Sequence, residues 1–278
     1  MIINGDTWLY PLLGYPTDIF KAPLVYNPYF EKIGVNAAVV PMGAKAENYS
    51  AILRAVFQLT NVKGALVTMP HKMTTFSLVD EVSVASKIAG SCNAVLLRGD
   101  GSLYGDLFDG EGFVRGLRRK GCNIEGARAL VVGSGGVGSA IAASLSGSGV
   151  VALGLFDTRP KSAEALAGRI QQHYPNIEVV VGSNDPTGFD IVVNATPIGM
   201  NATDSLPMDV TRVDPSAFAA EVVMRKEYTE FLTAAKAKGC RVQVGSDMLF
   251  EQIPAYLEFF GILTTTPEEL RKISKLSY

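Results

Sequence analysis

Lys72, in GALVTMPHK (64–72), and Asp109, in GDLFDG (105–110), both lie upstream of a glycine-rich turn, GSGGVG (133–138). A lysine and a carboxylate that share a hydroxyl can deliver its proton or remove it. A glycine turn of this spacing can hold a dinucleotide. Together they point to hydride chemistry at an alcohol or ketone, with the substrate half first and the cofactor half second. Each residue alone has a plainer reading. Lys72 reads as a surface lysine, and Asp109 as the N-cap of the helix that EGFVRGL begins.

The turn follows an apolar strand and opens an apolar helix, which is the context the motif requires. Gly133 allows the tight bend, Gly135 admits a pyrophosphate to the backbone, and Gly138 lets helix and strand pack closely. Gly136 and Val137 supply N–H groups at the helix start, aimed at the phosphates. The next strand ends at Phe156, and Asp157 follows, nineteen residues after Gly138. A carboxylate there accepts the ribose hydroxyls of NAD and repels the 2′-phosphate of NADP. NAD is therefore the expected cofactor, with Arg159 and Lys161 leaving NADP open. Asp157 also reads as a cap for the following helix.

These residues need a scaffold, and the chain can build one. It has 278 residues, 47% hydrophobic, with mean hydropathy +0.20, 19% charged residues and a net charge of −2. That allows two domains with sizeable cores. No basic patch supports nucleic-acid binding. Cys92, Cys122 and Cys240 are widely spaced with no CxxC, and read as reduced thiols of a cytoplasmic protein. Two distant histidines without HExxH predict no metal site. No signal peptide is expected from MIINGDTWLY. Residues 129–156 carry no charge, but seven Gly and five Ser break any membrane helix there. They suit two strands and a packed helix, so no membrane association is expected.

Strands are predicted at 8–14, 36–42 and 64–69, with a hairpin of 94–98 and 102–105 around GDG. Helices are predicted at 23–33, with Pro28 inside and Gly34 as stop, and from Ala46 to about Leu59. Residues 72–89 read as helical with breaks. A helix at 111–121 carries basic residues in its last turns, with Gly121 after them. Then comes an α/β alternation: strand 127–132, the glycine turn with its helix, strand 150–156, a helix entered near Pro160 and capped by Thr158 or Arg159, and strands 177–181 and 189–195. The pattern repeats through 216–224, a helix near 228–238 and strand 241–245. The last helix is expected from Asp247 to Phe260. The fold class is α/β: an N-terminal α/β substrate domain (1–108), a doubly wound, Rossmann-type domain (109–244), and C-terminal helices (245–278).

The surroundings of Lys72 and Asp109 resemble the shikimate/quinate dehydrogenase family. GALVTMPHK is similar to that family's GxNVTxPxK segment, SCNAV (91–95) to AVNT, and GDLFDG to GDNTDG. NATPIGM (194–200) matches a cofactor-domain loop, and GSDMLFEQ (245–252) a helix start, GLGMLVxQ. The order holds from Gly14 to about Phe260. The resemblance implies a Lys72–Asp109 dyad, substrate contacts from Thr68, Asn93 and Gln252, and cofactor contacts from Asn194, Thr196, Pro197 and Gly245. It also implies that the final helix returns to the N-terminal domain, with the active site in the interdomain cleft. By themselves Asn93 reads as a turn cap, Thr68 as a strand residue and Gln252 as a solvated helix position. His71, if the strand pleat continues, faces away from Lys72 and reads as structural or as a tuner of the lysine.

The departures from the family bear on substrate. Its paired serines of SxS-P become Phe20 and Ala22 in FKAP (20–23). The Asn before VT is Leu66, the Asn and Thr of GDNTDG are Leu107 and Phe108, and a Tyr at a strand end is Met224. Each lost hydrogen bond to a charged group is worth roughly 1.5–3 kcal/mol. Shikimate is therefore expected to be a poor substrate, and a small hydroxy-acid-like compound with a more apolar face, or a carboxylate held differently, a better one. Lys21 is a candidate for a displaced carboxylate. A monomer or homodimer is expected.

Overall fold

The computed structural model describes residues 2–201 and 203–275. The chain divides into two compact units: Met1–Ser86 with Gly90–Phe108 and Ile253–Tyr278, and Lys87–Ala89 with Asp109–Gln252.

The first unit carries a mixed sheet. Its strands are β1 (Trp8–Gly14), β2 (Ala37–Gly43), β3 (Gly64–Val67), β4 (Glu81–Val82), β5 (Ala94–Leu97) and β6 (Leu103–Asp106), in the order β2-β1-β3-β5-β6-β4. β1 is parallel to β2 and β3, whereas β5 is antiparallel to β3 and β6. The predicted hairpin turns at Gly101, whose φ of +87° suits only glycine without strain. Helix α1 (Pro23–Lys32) starts on Pro23 and is followed by Gly34 at φ +68°. It runs through Pro28, which has no N–H to give Leu24. The Leu24 carbonyl instead accepts the Lys275 N–H at 2.9 Å. Helix α2 (Ala46–Val56) lays Tyr49 and Leu53 on Leu13, Ala65, Val67 and Val95 of the sheet.

Two expectations need correction here. The stretch 72–89 forms two short helices, α3 (Lys72–Phe76) and α4 (Val84–Ala89), with β4 between them. Pairing of β4 with β6 wins over local helical spacing, and Ser83 then caps α4 by accepting Ser86 N–H. The helix expected to be last is not. A further helix follows it, spanning Pro267–Ile273, with Thr266 accepting Glu269 N–H and Pro267 in the first turn.

The second unit opens with α5 (Asp109–Arg119) and carries an all-parallel sheet. Its strands are β7 (Arg128–Val132), β8 (Ala152–Phe156), β9 (Glu178–Val181), β10 (Ile191–Asn194), β11 (Phe218–Glu221) and β12 (Arg241–Gln243), in the order β12-β11-β10-β7-β8-β9. That order is the doubly wound arrangement, with its reversal between β7 and β10. Helices α6 (Gly136–Gly147), α7 (Pro160–His173), α8 (Glu230–Ala237) and α9 (Gly245–Phe259) connect or follow the strands. Leu130, Val192 and Ala219 pack with Phe231, Leu232 and Ala235 of α8. The uncharged run 129–156 resolves into β7, α6 and β8, and among the described residues no helix is long and apolar enough to cross a membrane.

Candidate functional site

In the second unit the glycine turn sits at the carboxyl end of β7, where the strand order reverses. Gly133 has φ +105°, and a Cβ on it would lie 2.7 Å from the Ala195 carbonyl oxygen. A Cβ on Gly138 would lie 1.9 Å from Gly133 O. These two glycines are therefore dictated by packing. Gly135 and Gly136 face open space instead, with nothing within 4 Å of an added Cβ. The first helical bond beyond them is Ser139 N–H to Gly135 O at 2.8 Å, so the N–H groups of Gly136, Val137 and Gly138 precede it and could receive an anion. Open glycines at a helix start fit a pyrophosphate.

Asp157 directly follows β8, and its carboxylate does two things. Oδ2 accepts Ser134 N–H at 2.8 Å and Oδ1 accepts Arg159 N–H at 2.8 Å. Burial acts to raise its pKa, but the N–H groups of Arg159 and Ser134 and the Arg159 side chain outweigh it, and the group lies below the usual carboxylate range. A carboxylate has about four lone-pair positions. Three are used within the protein, counting the long 3.5 Å bond from Arg159 Nε–H to Oδ1, leaving one for a ribose hydroxyl. The capping reading also holds in part: Arg159 is the N-cap residue of α7 and makes no side-chain cap, and Asp157 receives its N–H.

The loop after β10 is built by its own side chains. Asn194, buried, accepts Thr196 N–H at 3.1 Å and Thr196 Oγ1–H at 2.6 Å, and donates to Ile198 O at 2.9 Å. The contacts of Gly133 with Ala195 and Thr196 bring this loop against the glycine turn, while Pro197 is exposed. Gly245 starts α9, and a Cβ there would lie 2.2 Å from Val223 O. Met224, next to Val223 in sequence and three residues beyond β11, is 52% exposed.

In the first unit, bonds between neighbouring segments gather Thr68, Lys72 and Asn93. Val67 N–H donates to Asn93 O at 2.7 Å, Cys92 N–H to Lys72 O at 2.9 Å, and Thr68 N–H to Leu13 O at 2.9 Å. Lys72 is half-buried as the first residue of α3. Phe20 folds its ring over Gly14, where an added Cβ would lie 2.7 Å from the ring and 2.5 Å from the Thr68 methyl. Ala22 is half-buried at the start of α1 and makes no side-chain cap. His71 is buried, stacked on Tyr49 at 3.8 Å, with Nε2 donating to Ala44 O at 2.7 Å. It is a structural residue that ties three segments together next to Lys72. Leu66, Leu107 and Phe108 are all buried in this unit.

Asp109 begins α5 and is 7% exposed. Gln252, expected as a solvated position by residue type, is half-buried. Its Cβ sits 2.6 Å from where a Cβ on Gly112 would be, so α5 and α9 meet through that glycine.

Some residues escaped the sequence reading. Glu221, wholly buried at the end of β11, pairs across from Asn194 and accepts Thr229 Oγ1–H at 2.8 Å; burial raises its carboxyl pKa against that bond. A lone acid in the apolar run FAAEVV was the available signal. Tyr256 donates to Asn93 O at 3.2 Å, and nothing in its sequence neighbourhood signals that bond.

Residues 12–95 match the model for the shikimate dehydrogenase substrate binding domain. The chain is 34% identical over 254 residues to shikimate dehydrogenase (NADP(+)) of Rubrobacter xylanophilus, covering 90% of this chain and 89% of that one. The chain belongs to the shikimate dehydrogenase family. It is accordingly an oxidoreductase of the dehydrogenase type. Among solved structures, quinate dehydrogenase from Corynebacterium glutamicum in complex with NAD superposes with a TM-score of 0.86 at 29% identity, over 97% of this chain and 99% of that one. Shikimate 5-dehydrogenase from Listeria monocytogenes, in complex with shikimate and NAD, shares the fold with a TM-score of 0.91 at 23% identity, over 98% and 97% of the two chains.

Proposed function

We propose that this family member transfers hydride between NAD and a ring hydroxyl or ketone of a small hydroxy-acid-like substrate, with Lys72 and Asp109 as the proton-transfer dyad. The nicotinamide, when bound, accepts or gives the hydride. The chain's own residues do the rest. The glycine turn and the start of α6 hold the pyrophosphate, together with Thr196 and Pro197 of the adjoining loop, which Asn194 shapes. Asp157 selects the ribose. Thr68, Asn93 and Gln252 orient the substrate. When the alcohol is oxidised, its C–H hydrogen leaves as hydride and its O–H proton passes to the dyad. The reverse reduction returns that proton to the forming alkoxide.

The observation that carries this reading is the joint presence of an open glycine cradle with the Asp157 carboxylate bonded to it in one unit and the Thr68–Lys72–Asn93 group in the other. The cofactor preference follows from Asp157, even though the Rubrobacter relative is named for NADP(+). A second substrate reading, a more apolar hydroxy compound, is favoured by Phe20 over Gly14 where the family has serine. We read the protein as a cytoplasmic monomer or homodimer. The test is reduction of NAD and NADP with shikimate, quinate and related cyclic hydroxy compounds, followed by absorbance of the reduced nicotinamide. NAD-linked turnover of shikimate at 10⁴ M⁻¹s⁻¹ or more, roughly the range of a natural substrate, would rule out the second reading. NADP preferred over NAD would overturn the role given to Asp157.

A further inference from the structure

We propose that Tyr256 is a positioning residue for Asn93, and that Asn93 so held offers its side-chain Nδ2 to the substrate as a hydrogen-bond donor. The proposal rests on the reading of Asn93 as a substrate contact and adds to it a residue outside every motif of the family resemblance.

Asn93 is 1% exposed, and its backbone is fixed on both sides. Its N–H donates to Asp106 O at 2.9 Å, and its carbonyl accepts Val67 N–H at 2.7 Å and the Tyr256 hydroxyl at 3.2 Å. Its side-chain Oδ1 accepts Phe108 N–H at 3.0 Å. A backbone N–H only donates, so the amide has one allowed orientation. Turned over, its NH₂ would face another donor. Tyr256 secures the same arrangement a second time, because its ring meets Phe108 edge-on at 4.8 Å and 61°. The residue whose N–H fixes the amide is thus itself packed by the residue that fixes the Asn93 carbonyl.

With the amide fixed this way round, Nδ2 is the side chain's donor, and it makes no hydrogen bond among the described residues. Nδ2 therefore takes an acceptor oxygen: a carbonyl, a carboxylate or a hydroxyl lone pair.

Tyr256→Phe removes the hydroxyl and keeps the ring. Tyr26→Phe is the control, since Tyr26 lies in the same aromatic cluster, 6.4 Å from the Tyr256 ring, with a buried hydroxyl that has no partner among the described residues. Two readouts are taken, amide hydrogen exchange at Phe108 without substrate, and kinetics with shikimate and NAD. In Tyr256→Phe we expect exchange at Phe108 to quicken and KM for shikimate to rise, each by roughly 2- to 12-fold, the span for one neutral hydrogen bond. kcat and KM for NAD should stay within about twofold of the parent, and Tyr26→Phe should change neither readout. Unchanged exchange in Tyr256→Phe overturns the positioning role whatever the kinetics. Quickened exchange with KM unmoved in both Tyr256→Phe and Asn93→Ala overturns the donor subsite. A parent that binds NAD and leaves shikimate untouched defeats the functional reading alone, and the exchange comparison still decides for or against Tyr256.

Discussion

Asp157 makes a stability prediction that needs no substrate. Asp157→Ala leaves two N–H groups without their acceptor, those of Ser134 and Arg159. Ser134 is 7% exposed, so its loss is the costly one, about 1.5–3 kcal/mol for a bond to a charged acceptor. The Arg159 N–H is exposed, and water replaces that acceptor at little cost. The second unit should therefore melt lower by roughly 3–12 °C, at about 2–4 °C per kcal/mol for a unit of this size. Asp157→Asn should lose less, because its one carbonyl oxygen can turn to Ser134 and leave its NH₂ near solvent. The pH dependence has a definite sign. The folded pKa of Asp157 lies below its ordinary value of 3.8, so the parent's advantage over Asn is complete above that value and disappears as pH falls through the lowered one. Thermal melts of parent, Asn and Ala forms from pH 7 down to the acid limit measure this. An Ala form as stable as the parent, or a parent–Asn gap that persists in acid, would refute the clamp. The Ala form should also bind NAD more weakly and discriminate less against NADP, a loss that mixes ribose selection with a loosened glycine turn.

Lys72→Ala should lower kcat by about 10²–10⁴, the range for losing a general acid or base, with NAD affinity measured by fluorescence titration essentially unchanged; parental turnover would reject the assignment. Restoring the family's serines in a Phe20→Ser/Ala22→Ser double variant should raise kcat/KM on shikimate by about 10-fold or more, given roughly 1.5–3 kcal/mol per restored bond to a carboxylate. No gain would mean that the carboxylate is held elsewhere. Burial pushes the thiols of Cys92 and Cys122 up to about 11, so at pH 7 only roughly one part in 10⁴ is thiolate. Native protein should resist iodoacetamide at both positions by mass spectrometry, and rapid native labelling would contradict that.

The doubly wound half was legible in the sequence because its signals are local. An apolar strand, a glycine turn, an apolar helix and an acid after the next strand all fall within residues 128–157, and backbone geometry at Gly133 and Gly138 tolerates nothing larger. The hairpin around Gly101 and the stop at Gly34 were legible for the same reason, a φ that other residues adopt only with strain. Residues 72–89 were read less well, because β4 exists only through its pairing with β6. Lys72, Asp109 and Asn93 were singled out by the likeness of their segments to family motifs, and Asp157 by its spacing after the glycine turn. What each atom of them does was decided by tertiary contacts between segments far apart in the chain. Asn93 receives its amide orientation from Phe108 and its second carbonyl partner from Tyr256, 163 residues away. His71 turns inward because Tyr49 and Ala44 are there to receive it. Glu221 is a surface acid by residue type and a buried one by its place in the central sheet. Periodicity and turn chemistry are properties of neighbouring residues, so a sequence carries them openly. Hydrogen-bond direction and burial depend on which distant groups the fold delivers, and only the folded chain determines those.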